Sequence, residues 1–373
     1  MLKLELKRIF SKKLNVLAVG LMVILAAVFS GFAATSNRYA GALTEAELTK
    51  IVVQYKAVMA QSQEEQDENY GTLYQPIDDI LNFMISVLTP DAGYDETVLD
   101  SVTEDSVQDF YTWYRGNMKW MADQYGKTPE QKDYLEKKYS EIILPLQYES
   151  YGAWDTMIMY AETYSIVLAI LVGFICAGIF ADDFQTKADA VFFASKYGRS
   201  KAIKNKILAG VVATTMIYWT GIVLLSAISF GIMGTSGMHT PYQMSEAYSI
   251  YIMTYGQYYA LTVACGYIAS LLAASLAMLV AAKMHTISVA VCIPFFLYCL
   301  LPFIGRVLSS YTKVFNLIPT ILTNVEASVR VPLLYQIGTH VIRQVPLVMV
   351  MYTVLSIVLL PLIYRSFRRY GRA

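Results

Sequence analysis

Charge is what this sequence has least of. Asp, Glu, Lys and Arg make up only 16% of its 373 residues, against about 25% in an ordinary soluble protein. Hydrophobic residues reach 56% and the mean hydropathy is +0.43. A chain with so few polar groups cannot cover itself for water. That excludes the two or three soluble domains its length would otherwise imply, and leaves a membrane protein. Acidic and basic residues balance at 29 each, so a basic nucleic-acid binder is excluded and no nucleic-acid partner is expected. Cysteine is scarce as well. Cys176, Cys265, Cys292 and Cys299 all fall in apolar runs, at no zinc or redox spacing, and each reads as a small packed hydrophobe rather than part of a disulfide framework. His239, His285 and His340 lie far apart and form no HExxH motif. A complete phosphate loop is missing too. Gly126-Lys127-Thr128 imitates its end, but Met121 stands where the first glycine belongs. No catalytic residue, metal or cofactor is expected in this chain.

What is present is apolar length. A lipid-crossing helix needs about 20 mostly apolar residues, because it must satisfy its own backbone where there is no water. Residues 14–34, 163–181, 207–233, 257–282, 286–304 and 345–364 qualify. Pro294 and Pro302 interrupt the fifth, as neighbouring helices permit in a membrane. The first run exceeds the roughly 7–15 residues of a signal-peptide core, so despite the A-x-A-like Phe32-Ala33-Ala34 it reads as a retained span. Positive charge then sorts by side. Lys3, Lys7, Arg8, Lys12 and Lys13 precede the first span, and Lys187, Lys196, Arg199, Lys201, Lys204 and Lys206 separate the second from the third. Lys283 follows the fourth, and Arg365, Arg368, Arg369 and Arg372 follow the sixth. The positive-inside rule makes those segments cytoplasmic, and an even number of spans independently requires both termini on one side. The localisation expected is a bacterial cell membrane, crossed six times.

Residues 35–162 form the one long stretch outside the spans. They hold 23 of the 29 acidic residues and nine basic ones, a net charge of −14. Their pattern is helical. Thr44 with Glu47, Ser101 with Glu104, and Thr128-Pro129 with Gln131 read as helix starts. Ile77, Ile80, Leu81, Met84, Ile85 and Leu88 give an amphipathic run ended by Pro90. No alternating strand pattern of useful length appears. The fold class expected is therefore an all-α membrane protein with a helical extracytoplasmic domain between spans one and two. Its acid excess reads first as a solvated face. Tyr148, Tyr151 and Trp154 read as an interfacial aromatic belt leading into span two.

The spans carry no charge at mid-depth. Glu162, Asp182, Lys206, Lys283 and Arg306 all fall at predicted span edges, whereas ion- and proton-coupled carriers usually keep ionisable groups deep in the membrane. Any energy should therefore come from a partner. Two segments on the inner side look built for docking. Residues 1–13 place Leu2, Leu6, Ile9 and Phe10 on one helical face, an interfacial helix that also sets topology. The loop 182–206 is polar but carries Phe184, Val191, Phe192 and Phe193 among basic residues, the mix of a protein contact patch or of an anionic-lipid contact. Gly198 after Ser195-Lys196-Tyr197 would supply a left-handed turn ending a short helix. Residues 234–256 and 305–344 fall outside, and 365–373 form a basic inner tail.

Phe180-Ala181-Asp182-Asp183, then Ser195-Lys196-Tyr197-Gly198-Arg199-Ser200-Lys201 and Asn205-Lys206, follow span two. Met253-Thr254-Tyr255-Gly256-Gln257 precedes span four. With the long outer segment between spans one and two, this resembles the ABC-2-type permease subunit of bacterial ABC transporters, over essentially all six spans. The resemblance implies that the loop is a coupling helix seated in a separate ATP-binding subunit. Asp182, Asp183, Phe184, Lys187, Phe192, Phe193, Ser195, Lys196, Tyr197, Gly198 and Arg199 would be its docking residues. It also implies two ATP-binding subunits that carry ATP and Mg, a second permease half (a copy or a relative), short outer helices within 307–322 that dip toward the membrane, and outward transport of a lipid, peptide or drug-like amphiphile. In the family this loop often has Glu and Gly where residues 182–187 here read Asp-Asp-Phe-Gln-Thr-Lys. Two other classes fit the residues: a sensor or immunity protein whose acidic outer domain binds a cationic peptide, and an ATP-independent secondary transporter.

Overall fold

The computed structural model describes residues 1–32, 40–62, 64–65, 75–90, 97–98, 102–103, 107–307 and 316–369. The Ser101–Glu104 helix start, Ala33-Ala34, Arg372 and positions 308–315 lie outside the described residues. Six helices are long and apolar enough to cross a membrane, and the chain is a multi-pass membrane protein. A short helix α1 (Leu2–Ser11) breaks at Lys12, where the backbone is extended, and α2 (Lys13–Gly31) is the first span. Three helices, α3 (Glu45–Met59), α4 (Gln75–Leu88) and α5 (Phe110–Tyr125), are followed by α6 (Pro129–Ser140) in the long segment before the second span. The strands β1 (Ala40–Ala42) and β2 (Gln147–Glu149) pair antiparallel and tie the two ends of that segment together. The helix starts at Thr44 and Thr128 form as their sequences require, each hydroxyl accepting the N–H three residues on, from Glu47 and Gln131, at 3.3 Å.

The second span is α7 (Gly152–Gln185). It begins at Gly152 rather than at 163, and ends at Gln185 rather than at 181. A six-residue helix α8 (Asp189–Ala194) and a π-helical turn (Gly198–Ala202) lead into the third span, α9 (Ile203–Met233). The fourth span, α10 (Tyr255–Met284), opens on a reciprocal cap between Thr254 and Gln257. The fifth is broken, as its prolines demand. α11 (Ile287–Phe295) gives way to a π-helical turn (Phe296–Leu300) and then to α12 (Leu301–Val307). A 3₁₀ turn (Pro319–Thr323) and a short helix α13 (Glu326–Arg330) precede a hairpin, β3 (Leu334–Ile337) with β4 (His340–Arg343). The sixth span is α14 (Gln344–Arg369).

α7 is the axis of the bundle. In its most apolar window 78% of residues are buried, against 22% in α2 and in α14, so lipid is left to the outer helices. Leu17 at 70% and Val350 at 62% exposure lie on those outward faces. Lipid chains are as apolar as leucine, so burying leucine cannot drive these helices together; close approach and interhelical hydrogen bonds must. Both are present. A Cβ on Gly266 would lie 2.2 Å from the Ser165 hydroxyl and 2.5 Å from that of Tyr218, so glycine lets α10 meet α7 and α9. Tyr164 donates to the Met22 carbonyl at 2.8 Å, Tyr218 to Val263 at 2.7 Å and Tyr298 to Ala269 at 2.9 Å.

The layer formed by α3–α6, the 234–254 loop and the 316–343 segment packs as one core with the neighbouring ends of the spans. Here Tyr148, Tyr151 and Trp154 correct their expected place in an exposed belt. All three are buried. Tyr148 donates to Asp79 at 2.9 Å, Tyr151 stacks on Tyr255 at 4.3 Å, and Trp154 donates to the Thr235 carbonyl at 3.1 Å. An amphipathic ring that could meet headgroups meets protein instead, because the 234–254 loop folds over the start of α7. Neither antiparallel strand pair was visible as a pattern, since the strands are three and four residues long.

Candidate functional site

The helix α1, the last turns of α14, the α7–α9 connection and the turn after α10 converge at one end of the bundle. The α7–α9 connection is not a free loop. Asp182, Asp183 and Phe184 sit on the last turn of α7. Lys187 takes a left-handed conformation with φ 57° and reverses the chain into α8.

Asp183 is the hub of a buried ionic knot. Its side chain is 7% exposed; Arg8 from α1 reaches Oδ1 at 3.1 Å and Lys206 from α9 reaches Oδ2 at 2.8 Å. The same two cations donate to the Ile179 carbonyl, at 3.1 and 2.8 Å. Lys206 is wholly buried. Beside them Lys12 pairs with Asp182 and Arg8 with Glu5. Burial, reinforced by the neighbouring Arg8 and Lys206 charges, lowers the Lys12 ammonium to about 8. α1 therefore turns Arg8 toward the protein, while Ile9 is buried and Leu2, Leu6 and Phe10 pack against the bundle core.

A second set of contacts is aromatic and centres on Phe367, near the end of α14 and fully buried. Phe180, Phe193, Phe184 and Phe192 surround it, with ring centroids at 4.9, 5.1, 5.7 and 5.8 Å. Phe184 also lies 3.9 Å from the His285 ring at the C-cap of α10. Cations cover the outer rings. Arg199 stands 4.7 Å over Phe193, and Lys206 5.2 Å from Phe192. Arg199 also donates to the Arg368 carbonyl at 3.1 Å. The elbow between α7 and α9 is thus fastened to α1, α10 and α14 at once.

Of the residues expected to dock a partner, Asp182, Asp183, Phe184, Phe192, Phe193 and Arg199 are engaged in this fastening. Lys187, Ser195, Lys196 and Tyr197 stay at the surface, with Lys196 and Lys201 flanking the Tyr197 ring at 5.6 and 5.1 Å. Val191 joins them, at 76% exposure. Gly198 corrects its expected role. α8 ends at Ser195 in extended backbone, and Gly198 is not left-handed. It is glycine for another reason: a Cβ there would fall 1.8 Å from the Phe192 carbonyl oxygen, so only glycine lets the turn fold back on α8. The residues that composition alone did not single out are Arg8, Lys206, His285 and Phe367. Arg8 and Lys206 read as topology charges, His285 as an isolated histidine and Phe367 as part of the basic tail. The partners that Arg8, His285 and Phe367 meet across the bundle are more than 80 residues distant, and Lys206 meets Asp183 only because α7 and α9 fold back on each other.

No family model, curated protein or solved structure matches this chain.

Proposed function

We propose that this chain is the transmembrane permease half of an ATP-driven exporter of amphiphiles. In this reading the end carrying α1 and the last turns of α14 faces the cytoplasm, and the layer of α3–α6 lies outside. Two such halves enclose the path, and two copies of a separate ATP-binding subunit, holding ATP and Mg, bind below. The observation that carries the reading is the fastening of the elbow. The elbow presents Lys187, Val191, Lys196 and Tyr197 outward, while the inward face of α8 is clamped by Phe367 and the flanks of the elbow by the Asp183–Lys206–Arg8 knot. A push on the exposed face is therefore delivered to four spans rather than dissipated in a loop. Stiff coupling of this kind is what transmits a conformational change between packed elements.

The test is co-purification from native membranes. The intact chain is expected to bring an ATP-binding subunit with it. Val191→Asp together with Lys196→Glu should abolish that recovery while membrane insertion and melting temperature stay unchanged. Undiminished recovery would remove the docking role. A chain that never carries an ATPase and moves solute without one would favour a secondary transporter, and one that binds cationic peptide without flux would favour a sensor.

A further inference from the structure

The break between α1 and α2 leaves a surface that the ionic knot does not use. An interfacial helix ordinarily turns its apolar face to acyl chains. In α1 that face is turned to the protein, with Ile9 buried and Leu2, Leu6 and Phe10 against the core. Lys3, Lys7 and Ser11 are exposed instead, a stripe at every fourth residue of the helix. Lys3, Lys7 and Lys13 form no ion pair with a described residue, and Glu5, the one acid of residues 1–13, is 17% exposed and already paired with Arg8. The stripe runs onto a trough of about 650 Å³. Ser11 and Lys13 line it at one end, and Leu17, Gly20, Leu21 and Ile24 line it further along α2. The Ser11 hydroxyl is held only by a 3.3 Å bond to the Arg8 carbonyl. A Cβ on Gly20 would meet no atom outside the backbone of its own helix within 4 Å, so the floor of the trough is open.

We infer that this trough seats an acyl chain of one anionic glycerophospholipid, with its phosphate at Lys13 and Ser11 and with Lys7 and Lys3 extending the cationic surface. Length supports the assignment. From Lys13 to Ile24 the helix rises about 16 Å, half of the roughly 30 Å hydrocarbon core and so the depth of one leaflet. Charge selects the headgroup. Unpaired lysines at the edge of a span attract anionic lipid, whereas a zwitterionic headgroup brings its own cation among them. A free anion would meet the lysines and leave the trough unfilled. A second copy of this chain, paired through the same face about a two-fold axis, would set Lys13 near Lys13 with no free carboxylate of residues 1–13 between them. The inference goes beyond the transport reading and does not depend on it, since it uses neither the elbow nor a partner subunit.

The full chain, delipidated in detergent, is titrated with dioleoylphosphatidylglycerol or dioleoylphosphatidylcholine, and the bound lipid is counted by native mass spectrometry. One phosphatidylglycerol should be held at least about fivefold more tightly than phosphatidylcholine, the effect of about one lysine at an anionic headgroup. Lys13→Gln should weaken phosphatidylglycerol by about that factor. Gly20→Leu puts a side chain into the trough without touching the bundle, and should bring phosphatidylglycerol down to the level of phosphatidylcholine. Lys283→Gln removes the same charge from the exposed turn after α10 and should change nothing. Equal retention of the two lipids, equal losses in Lys13→Gln and Lys283→Gln, or undiminished binding in both Lys13→Gln and Gly20→Leu would overturn the assignment. Displacement of the lipid by glycerol 3-phosphate would overturn it in favour of a free anion. A lipid-free dimer that Gly20→Leu dissociates would overturn it in favour of a second copy. If a variant fails to fold, the comparison of the two lipids on the unaltered chain still decides.

Discussion

The two ends of this bundle solve the same problem with different chemistry. At the end carrying α1, buried polarity is ionic. Arg8 and Lys206 converge on Asp183, Lys12 on Asp182, and Arg8 reaches Glu5. In the layer at the far end it is largely neutral. Tyr114 donates to the Ala247 carbonyl at 2.5 Å, Tyr139 to Tyr248 and Tyr248 to Val87, each at 3.0 Å, and Tyr111 to Leu43. A neutral hydroxyl on a carbonyl is worth little in net terms but is indifferent to nearby charge. A buried ion pair is near break-even when intact and very costly when one partner is lost. The two ends should therefore differ in how much the loss of one polar partner costs.

This contrast breaks most sharply at Lys206. Lys206→Met leaves Asp183 buried with Arg8 alone and should destabilise the protein by about 3–5 kcal/mol, read as a fall in melting temperature in detergent. Adding Asp183→Asn should recover most of the loss; if the double variant is no better than the single one, the knot is not a unit. At the far end the largest expected effect belongs to Asp79, an ionisable group among these neutral hydroxyls. Burial pushes the Asp79 carboxyl up to about 6 despite the bond from Tyr148. The folded state then holds this proton more tightly than the unfolded chain does. The resulting stability is complete below about pH 4 and is lost as pH rises through about 6. Asp79→Asn should accordingly gain on the parent chain between pH 4 and 7, by at most about 3 kcal/mol at two units of about 1.4 kcal/mol each. A constant difference across that range would show that Asp79 titrates normally. Smallest of all, Tyr114→Phe orphans the Ala247 carbonyl and should cost about 1 kcal/mol, with no dependence on pH over the same window.

The spans were legible because their signal is local: about 20 apolar residues in a row mean the same thing in any tertiary context. The caps at Thr44, Thr128 and Thr254 are local too, a hydroxyl answering an N–H three residues away. Gly126-Lys127-Thr128 is a turn between two helices, with Gly126 closing α5 and Thr128 capping α6. The charged elbow was legible as a place but not as an arrangement. Nothing in the spacing of Asp183 says that its partners come from residues 8 and 206, or that Phe184 turns inward onto His285. Tyr148, Tyr151 and Trp154 misled because an aromatic with a polar tip satisfies a lipid interface and a protein seam equally well. The β3–β4 hairpin has too short an alternation to read, and its one local signal is a glycine. Gly338, left-handed at φ 63°, stands between Leu-Tyr-Gln-Ile and His-Val-Ile-Arg, the residue that a tight hairpin turn calls for. Glu162 was placed at a span edge, whereas it lies well inside α7 and caps the backbone of a segment more than 160 residues on.

The proposed function requires the ionic end to face the side where ATP is available. Single cysteines placed at Val191 and at Ile143, which is 84% exposed in the far layer, on an otherwise cysteine-free chain, test this with a membrane-impermeant maleimide. Ile143→Cys should be labelled in intact cells, and Val191→Cys only after permeabilisation. Labelling of Val191→Cys in intact cells would contradict the account.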